Sequence, residues 1–273
     1  LASSLKGDGS ELAAKAIMTT DTVVKEAAAE FTVGGKTVRL GGICKGSGMI
    51  HPNMCTMLCF LTTDAAIAAP VLDKALRGVV AETFNMVSID GDTSTNDTIT
   101  VMANGLAENP EILADTPEYE EFTQALRAIC TDLARKMAKD GEGATKLLVC
   151  KVTGAANLTD ARTVAKSVIC SSLLKAAMFG ADANWGRVLC AIGYAGTNTD
   201  VNRVDVSFRS KAGTIDVCKN GAGIPFSEEK AKEILTQDEI DILVTLGDGD
   251  ASAEAYGCDL TYDYVKINGD YRT

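Results

Sequence analysis

Two consecutive glycines, Gly34-Gly35, stand between the runs Glu30–Val33 and Lys36–Leu40. A glycine pair accepts the positive φ angles that a two-residue hairpin needs, so the two runs are expected to fold back on each other as antiparallel strands. A glycine-rich stretch with one lysine, Gly42-Ile43-Cys44-Lys45-Gly46-Ser47-Gly48, follows directly. It leads to Met57–Leu61, a short apolar run that fits a buried strand. Thr56 stands at the mouth of that run, eleven residues after Lys45. A hydroxyl, an ammonium and a pliable loop so arranged suit a nucleophile site. They equally suit a structural hydroxyl at a strand end.

The rest of the chain alternates helical and strand periodicity. Glu11–Ala16 reads as the end of a helix that leads into a strand over Ala16–Thr20. Residues 68–84 read as a helix, with Val71, Leu72, Leu76, Val79 and Val80 at helical spacing. Val87–Ile89 and Thr98–Met102 read as strands joined by a Ser/Thr/Asp loop. Pro117 suits the first turn of a long helix reaching about Lys139, which breaks at Asp140-Gly-Glu-Gly143. Lys146–Val152 reads as a strand and Asp160–Phe179 as one helix. Strands at Val201–Phe208 and Thr214–Cys218, a helix at Ser227–Leu235, strands at Ile240–Leu246 and Ser252–Gly257, and a helix at Leu260–Ile267 complete the series. Paired strands with helices between the groups indicate an α+β layered fold.

Composition narrows the function classes. With 26 basic against 37 acidic residues the net charge is −11, a balance that repels phosphate backbones and anionic lipid, so neither nucleic acid nor a membrane is expected as a partner. The longest apolar runs fall short of a membrane span, and residues 1–15 lack a basic region followed by an apolar one. The nine cysteines are odd in number, mostly embedded in apolar runs, and form no Cys-x-x-Cys pair. Reduced, buried thiols in the cytoplasm are the expected state. His51, Cys55 and Cys59 share a helical spacing that suits a soft metal, yet Pro52 interrupts any such helix and no fourth ligand stands nearby, so no metal is expected. Asp90, Asp92, Ser94 and Asn96 imitate the start of a calcium loop. Thr95 replaces its glycine and Val101 its closing glutamate, leaving a hydrogen-bonded loop that buttresses the site as the expected role.

Five segments together carry a family resemblance: Ala16–Thr22, Lys45–Leu58, Asp90–Thr98, Asp182-Ala-Asn-Trp-Gly-Arg187, and Ile267-Asn268 through Thr273. They occur in order along the chain and resemble the ornithine acetyltransferase (ArgJ) family of arginine biosynthesis. The resemblance implies a layered αββα-type sandwich of the kind shared with self-cleaving aminopeptidases. It also implies self-cleavage between Cys55 and Thr56. Residues 1–55 would then be the last part of an α chain, and residues 56–273 a β chain with an N-terminal threonine. The family usually has alanine where Cys55 stands, and its oxyanion-hole Thr-Gly pair has no match here.

The implied chemistry is coherent. A threonine hydroxyl needs a base, and an N-terminal threonine supplies its own α-amine, whose pKa is about 7.7–8. With one histidine in the chain, a histidine base has little room. The resemblance makes Thr56 the nucleophile. It gives substrate-binding roles to Thr19, Lys45, Glu142, Asn268 and Thr273, with Glu142 facing the substrate's amino groups and the C-terminus folding back onto the site. The expected reaction moves acetyl from N2-acetylornithine to glutamate through an acetyl-threonine, without a cofactor. Whether acetyl-CoA serves as a second donor stays open. The family points to α and β chains assembled twice, as α2β2. Two other readings remain: an N-terminal-threonine aminopeptidase or amidase of the same fold, and a non-catalytic globular subunit.

Overall fold

A computed structural model describes residues 6–51 and 57–270 of the protein. In chain order the first elements are α1 (Ser10–Ala16), β1 (Lys25–Val33), β2 (Lys36–Lys45), β3 (Leu58–Thr63), α2 (Ala69–Val80), β4 (Val87–Ser88), β5 (Thr98–Ala103) and α3 (Pro117–Lys139). They are followed by β6 (Leu147–Ala155), α4 (Leu158–Cys170), α5 (Ser172–Phe179), α6 (Trp185–Gly193), β7 (Asp205–Ser210) and β8 (Gly213–Lys219). The last are β9 (Ala222–Gly223), α7 (Glu228–Leu235), β10 (Glu239–Thr245), β11 (Ala251–Cys258) and α8 (Tyr262–Asp270). The class is α+β, as the alternating periodicities imply. The chain forms two compact units, one running to Asn85 and including Thr93–Met137, the other made of Met86–Asp92 and the chain from Ala138.

The first unit is built on a four-stranded sheet in the order β1-β2-β3-β5. Gly34 and Gly35 take φ angles of 55° and 78°, which only glycine adopts without strain, and they close the β1/β2 hairpin in register from Lys25↔Cys44 to Val33↔Lys36. β2 pairs antiparallel with β3, and β3 pairs parallel with β5. Helix α2 opens with Pro70 in its first turn and buries Leu72, Ala75, Val79 and Val80, one stripe at helical spacing. Helix α3 starts at Pro117 as expected and buries Phe122, Leu126, Ile129, Cys130, Leu133 and Met137.

The second unit carries a seven-stranded mixed sheet in the order β4-β11-β6-β10-β7-β8-β9. Third in that order, β6 pairs parallel with β10 and antiparallel with β11. Flanked on both edges and covered by a helix, β6 reads Leu147-Leu-Val-Cys150 as a continuous apolar run rather than an alternating one. Helix α4 packs on β6 and β11 through Ala161, Val164, Ala165, Val168 and Ile169. Among the described residues no helix is long and apolar enough to cross a membrane.

Three expectations are corrected. Residues 16–20 form no strand: the Thr19 amide donates to the Asp21 side chain and Ser47 Oγ donates to the Thr20 carbonyl, so side chains satisfy this backbone in place of a neighbouring strand. The helix expected over Asp160–Phe179 is two helices, because Ser171 adopts an extended conformation (φ −67°, ψ 106°) and its side chain caps α5 by accepting from the Leu174 amide. Val201–Arg203 is a 3₁₀ turn capped by Asp200, and the strand begins only at Asp205. β4 and β5, adjacent in sequence, belong to different sheets. Helix α6 escaped the periodicity reading altogether, although Asn184, its N-cap, lies inside one of the family-like segments.

Candidate active site

Of the residues expected at the site, Cys55, Thr56 and Thr273 lie outside the described residues. Thr19, Lys45 and His51 belong to the first unit, Glu142 and Asn268 to the second.

In the first unit, Lys45 is the last residue of β2 and pairs with Leu58, the first residue of β3. It is half-buried, whereas Thr19 is exposed. The structure links them through a residue to which the sequence reading gave no role. Asp21 Oδ1 accepts from the Gly46 amide at 2.9 Å and from Lys25 Nζ at 2.6 Å, and its Oδ2 accepts from the Thr19 amide at 3.2 Å. Both side chains of the Asp21–Lys25 pair are fully enclosed. Burial pushes the Asp21 carboxyl up, but the Gly46 amide, the Lys25 ammonium and the Thr19 amide outweigh it, so its pKa lies below the usual value. The clue in the sequence was an opposite-charge pair at positions 21 and 25, with only Thr22, Val23 and Val24 between them.

The parallel register of β3 and β5 brings Asp97 alongside Met57, whose carbonyl accepts from the Thr98 amide at 2.7 Å. Both Asp97 carboxylate oxygens are enclosed and have no hydrogen-bond partner among the described residues. Burial pushes this carboxyl up to about 7, while the Met57 amide and the Lys45 ammonium pull it down without prevailing. Asp97 lines a cavity of about 370 Å³ together with Met57, Leu76, Arg77, Phe84 and Ile99. His51 is half-buried, and its carbonyl accepts from Thr93 Oγ1 at 3.0 Å, which ties the loop after β2 to the Ser/Thr/Asp loop. Cys44 and Cys59 face each other across the β2/β3 ladder, and burial pushes the Cys44 thiol up to about 12. Among the described residues no group of three or more His, Cys, Asp or Glu side chains is arranged to hold a metal ion.

In the second unit, Glu142 and Asn268 meet directly: Asn268 Nδ2 donates to Glu142 Oε2 at 2.7 Å and to the Tyr264 carbonyl at 3.0 Å. Gly143 makes this possible. Its φ is +67°, and a Cβ there would sit 2.6 Å from the Tyr264 backbone nitrogen, so only glycine lets the turn after α3 press against the start of α8. Thr261 Oγ1 donates to the Gly143 carbonyl at 2.7 Å and locks the same contact. Tyr264 reaches from α8 to Asp90, its hydroxyl 3.4 Å from Oδ2. Burial, then the negative charges of Asp90, Asp92 and Glu142, push the tyrosine hydroxyl upward, so it stays protonated and donates. The Asp90 loop is held from beneath by Lys175, a buried lysine whose Nζ donates to the Ile89 and Cys258 carbonyls, both at 2.6 Å. Tyr264 and Lys175 carried no signal in the sequence beyond lying in amphipathic segments.

Each unit presents its own cluster of these residues. One presents a hydroxyl and an ammonium beside a buried carboxylate. The other presents a carboxylate held in place by an amide. Comparison with known proteins identifies the frame. The ArgJ family profile matches residues 1–273. The chain belongs to the ArgJ family. Over 270 residues, 99% of this chain and 67% of the relative, it is 52% identical to the arginine biosynthesis bifunctional protein ArgJ of Caldanaerobacter subterraneus subsp. tengcongensis. It is 51% identical to the Bacillus subtilis protein of the same name over 259 residues, 95% of this chain and 63% of that protein. The chain thus spans about two thirds of the length of these relatives. Among solved structures, the arginine biosynthesis bifunctional protein argJ from Bacillus halodurans superposes with a TM-score of 0.73 at 47% identity, covering 77% of this chain and 97% of that one.

Proposed function

We propose that this ArgJ-family chain is a glutamate N-acetyltransferase of arginine biosynthesis, moving acetyl from N2-acetylornithine to glutamate. The observation that carries the reading is whole-chain similarity to proteins named for arginine biosynthesis, combined with a glutamate held at hydrogen-bond distance by the asparagine expected beside it. The enzyme is an acyltransferase. Thr56 is the nucleophile. Its hydroxyl attacks the peptide carbonyl of Cys55, the resulting ester is hydrolysed, and the freed α-amine then serves as base. In the first half-reaction that amine takes the hydroxyl proton as Thr56 Oγ1 attacks the acetyl carbonyl. The tetrahedral oxyanion collapses, the C–N bond to ornithine breaks, and the amine leaves with the proton. Glutamate's amino group reverses these steps on the acetyl-threonine.

Each remaining residue has a task set by charge. Lys45 binds the substrate carboxylate, with Thr19 supplying a hydroxyl beside it. Glu142 faces the ornithine side-chain ammonium, a charge-assisted contact that Asn268 orients. Thr273 closes the site from the C-terminus. Residues 1–55 are the last part of an α chain and residues 56–273 a β chain, assembled as α2β2 in the cytoplasm. No cofactor takes part in the acetyl transfer. The decisive experiment incubates the purified protein with N2-acetylornithine, without glutamate, and maps acetylation by peptide mass spectrometry. Acetyl on Thr56, discharged by glutamate and absent in Thr56→Ala, supports the reading. An unmodified Thr56, or discharge by water at a rate that glutamate leaves unchanged, refutes it.

A further inference from the structure

The Asp21–Lys25 pair is out of place on energetic grounds. Both side chains are fully enclosed, and removing two charges from water costs more than their attraction returns unless further hydrogen bonds are made. Such a pair adds little stability over apolar residues of similar volume. What it supplies here is connection. One carboxylate receives three donors from three places: the Thr19 amide, the Gly46 amide immediately after Lys45, and the Lys25 ammonium at the start of β1. Lys25 is itself fixed by donating to the Val23 carbonyl at 3.2 Å and by the Lys25↔Cys44 register of the β1/β2 hairpin. The irregular segment carrying Thr19 and the strand end carrying Lys45 have no ladder between them. The carboxylate links them, beside a single weaker hydrogen bond from Ser47 Oγ to the Thr20 carbonyl at 3.3 Å.

We propose that Asp21 is a positioning residue for the substrate site: it sets the spacing between Thr19 and Lys45, with Lys25 as its buried counter-charge. This inference rests on the reading above that Thr19 and Lys45 bind substrate. An asparagine at 21 has one acceptor oxygen in place of two, so it cannot hold the Thr19 and Gly46 amides as a carboxylate does. The consequence is a half-site of wrong width. Binding weakens, and the acyl chemistry at the nucleophile is little altered.

The test compares Asp21→Asn, Asp21→Asn/Lys25→Met and Lys45→Ala with the parent enzyme. Steady-state kinetics with N2-acetylornithine are measured on each, together with amide hydrogen exchange of peptides covering 17–24 and 44–49. Asp21→Asn is expected to raise KM about tenfold with kcat changed by less than threefold, the loss of roughly one charge-assisted hydrogen bond. Exchange at Thr19 and Gly46 rises with it. The double variant removes the buried ammonium together with its counter-charge and so recovers thermal stability, but keeps the raised KM. That last result separates positioning from a merely structural role, which the double variant would restore. A KM at the parental value in the double variant, with Lys45→Ala still raising KM, overturns the inference alone. If Lys45→Ala leaves KM unchanged, the substrate-binding reading itself fails, whatever Asp21 does to exchange.

Discussion

Asp97→Asn tests whether the carboxyl beside Met57 is held against its preference for water. In the folded protein burial raises its pKa from 3.8 to about 7. A raised carboxylate pKa means that the native state binds the proton more tightly than the unfolded chain. Its contribution is therefore fully present below about pH 4 and is lost as pH rises through about 7. At about 1.4 kcal/mol per unit, a shift of this size caps the effect near 4 kcal/mol. The side chain is only half-buried although its two oxygens are enclosed, so solvent screening brings the expectation to about 2 kcal/mol. Asparagine keeps the shape and cannot ionise. Urea unfolding of parent and variant at pH 4.5 and pH 8 should give nearly equal stabilities at the lower pH. At the higher pH the variant should be more stable by about 2 kcal/mol. A variant less stable at pH 8 than at pH 4.5 relative to the parent would mean that the carboxylate has a strong cationic partner, and would refute the argument.

Further outcomes follow from single contacts. Gly143→Ala places a Cβ 2.6 Å from the Tyr264 nitrogen at a positive φ, and should destabilise the second unit by about 3 kcal/mol while raising KM for acetylornithine, read by thermal melting and kinetics. Lys175→Met leaves the buried Ile89 and Cys258 carbonyls without their ammonium donor, and should cost about 3 kcal/mol in urea unfolding; a loss under 0.5 kcal/mol would show that those carbonyls find other donors. Thiol labelling with peptide mapping should modify Cys190, which is exposed, within minutes. Cys44, Cys59, Cys130 and Cys150, whose thiols burial pushes far above the ordinary range, should stay unlabelled in the native protein.

Local chemistry explains what could be read early. The Gly34-Gly35 hairpin, the start of α3 at Pro117, and the alternating strands β7 and β10 each depend on neighbours within a few residues, so their signals survive in the bare sequence. The family-like segments likewise contain Lys45 and Asn268, and the Glu142–Asn268 contact spans 126 positions of chain. Ser171 illustrates the opposite case. An amphipathic stripe runs through it on both sides, and only the packing of α4 on the sheet makes the chain bend there and turn the serine into a cap. The parallel pairing of β3 with β5 is also a long-range matter, and it alone puts Asp97 next to Met57.

By itself, then, the sequence determined the class of fold and the family, because these depend on residue type and near spacing. Tertiary structure decided which charges are buried. Asp21, Lys25, Asp97 and Lys175 are ordinary polar letters in one dimension. Their roles come from being enclosed, and enclosure is a property of what the rest of the chain folds around them.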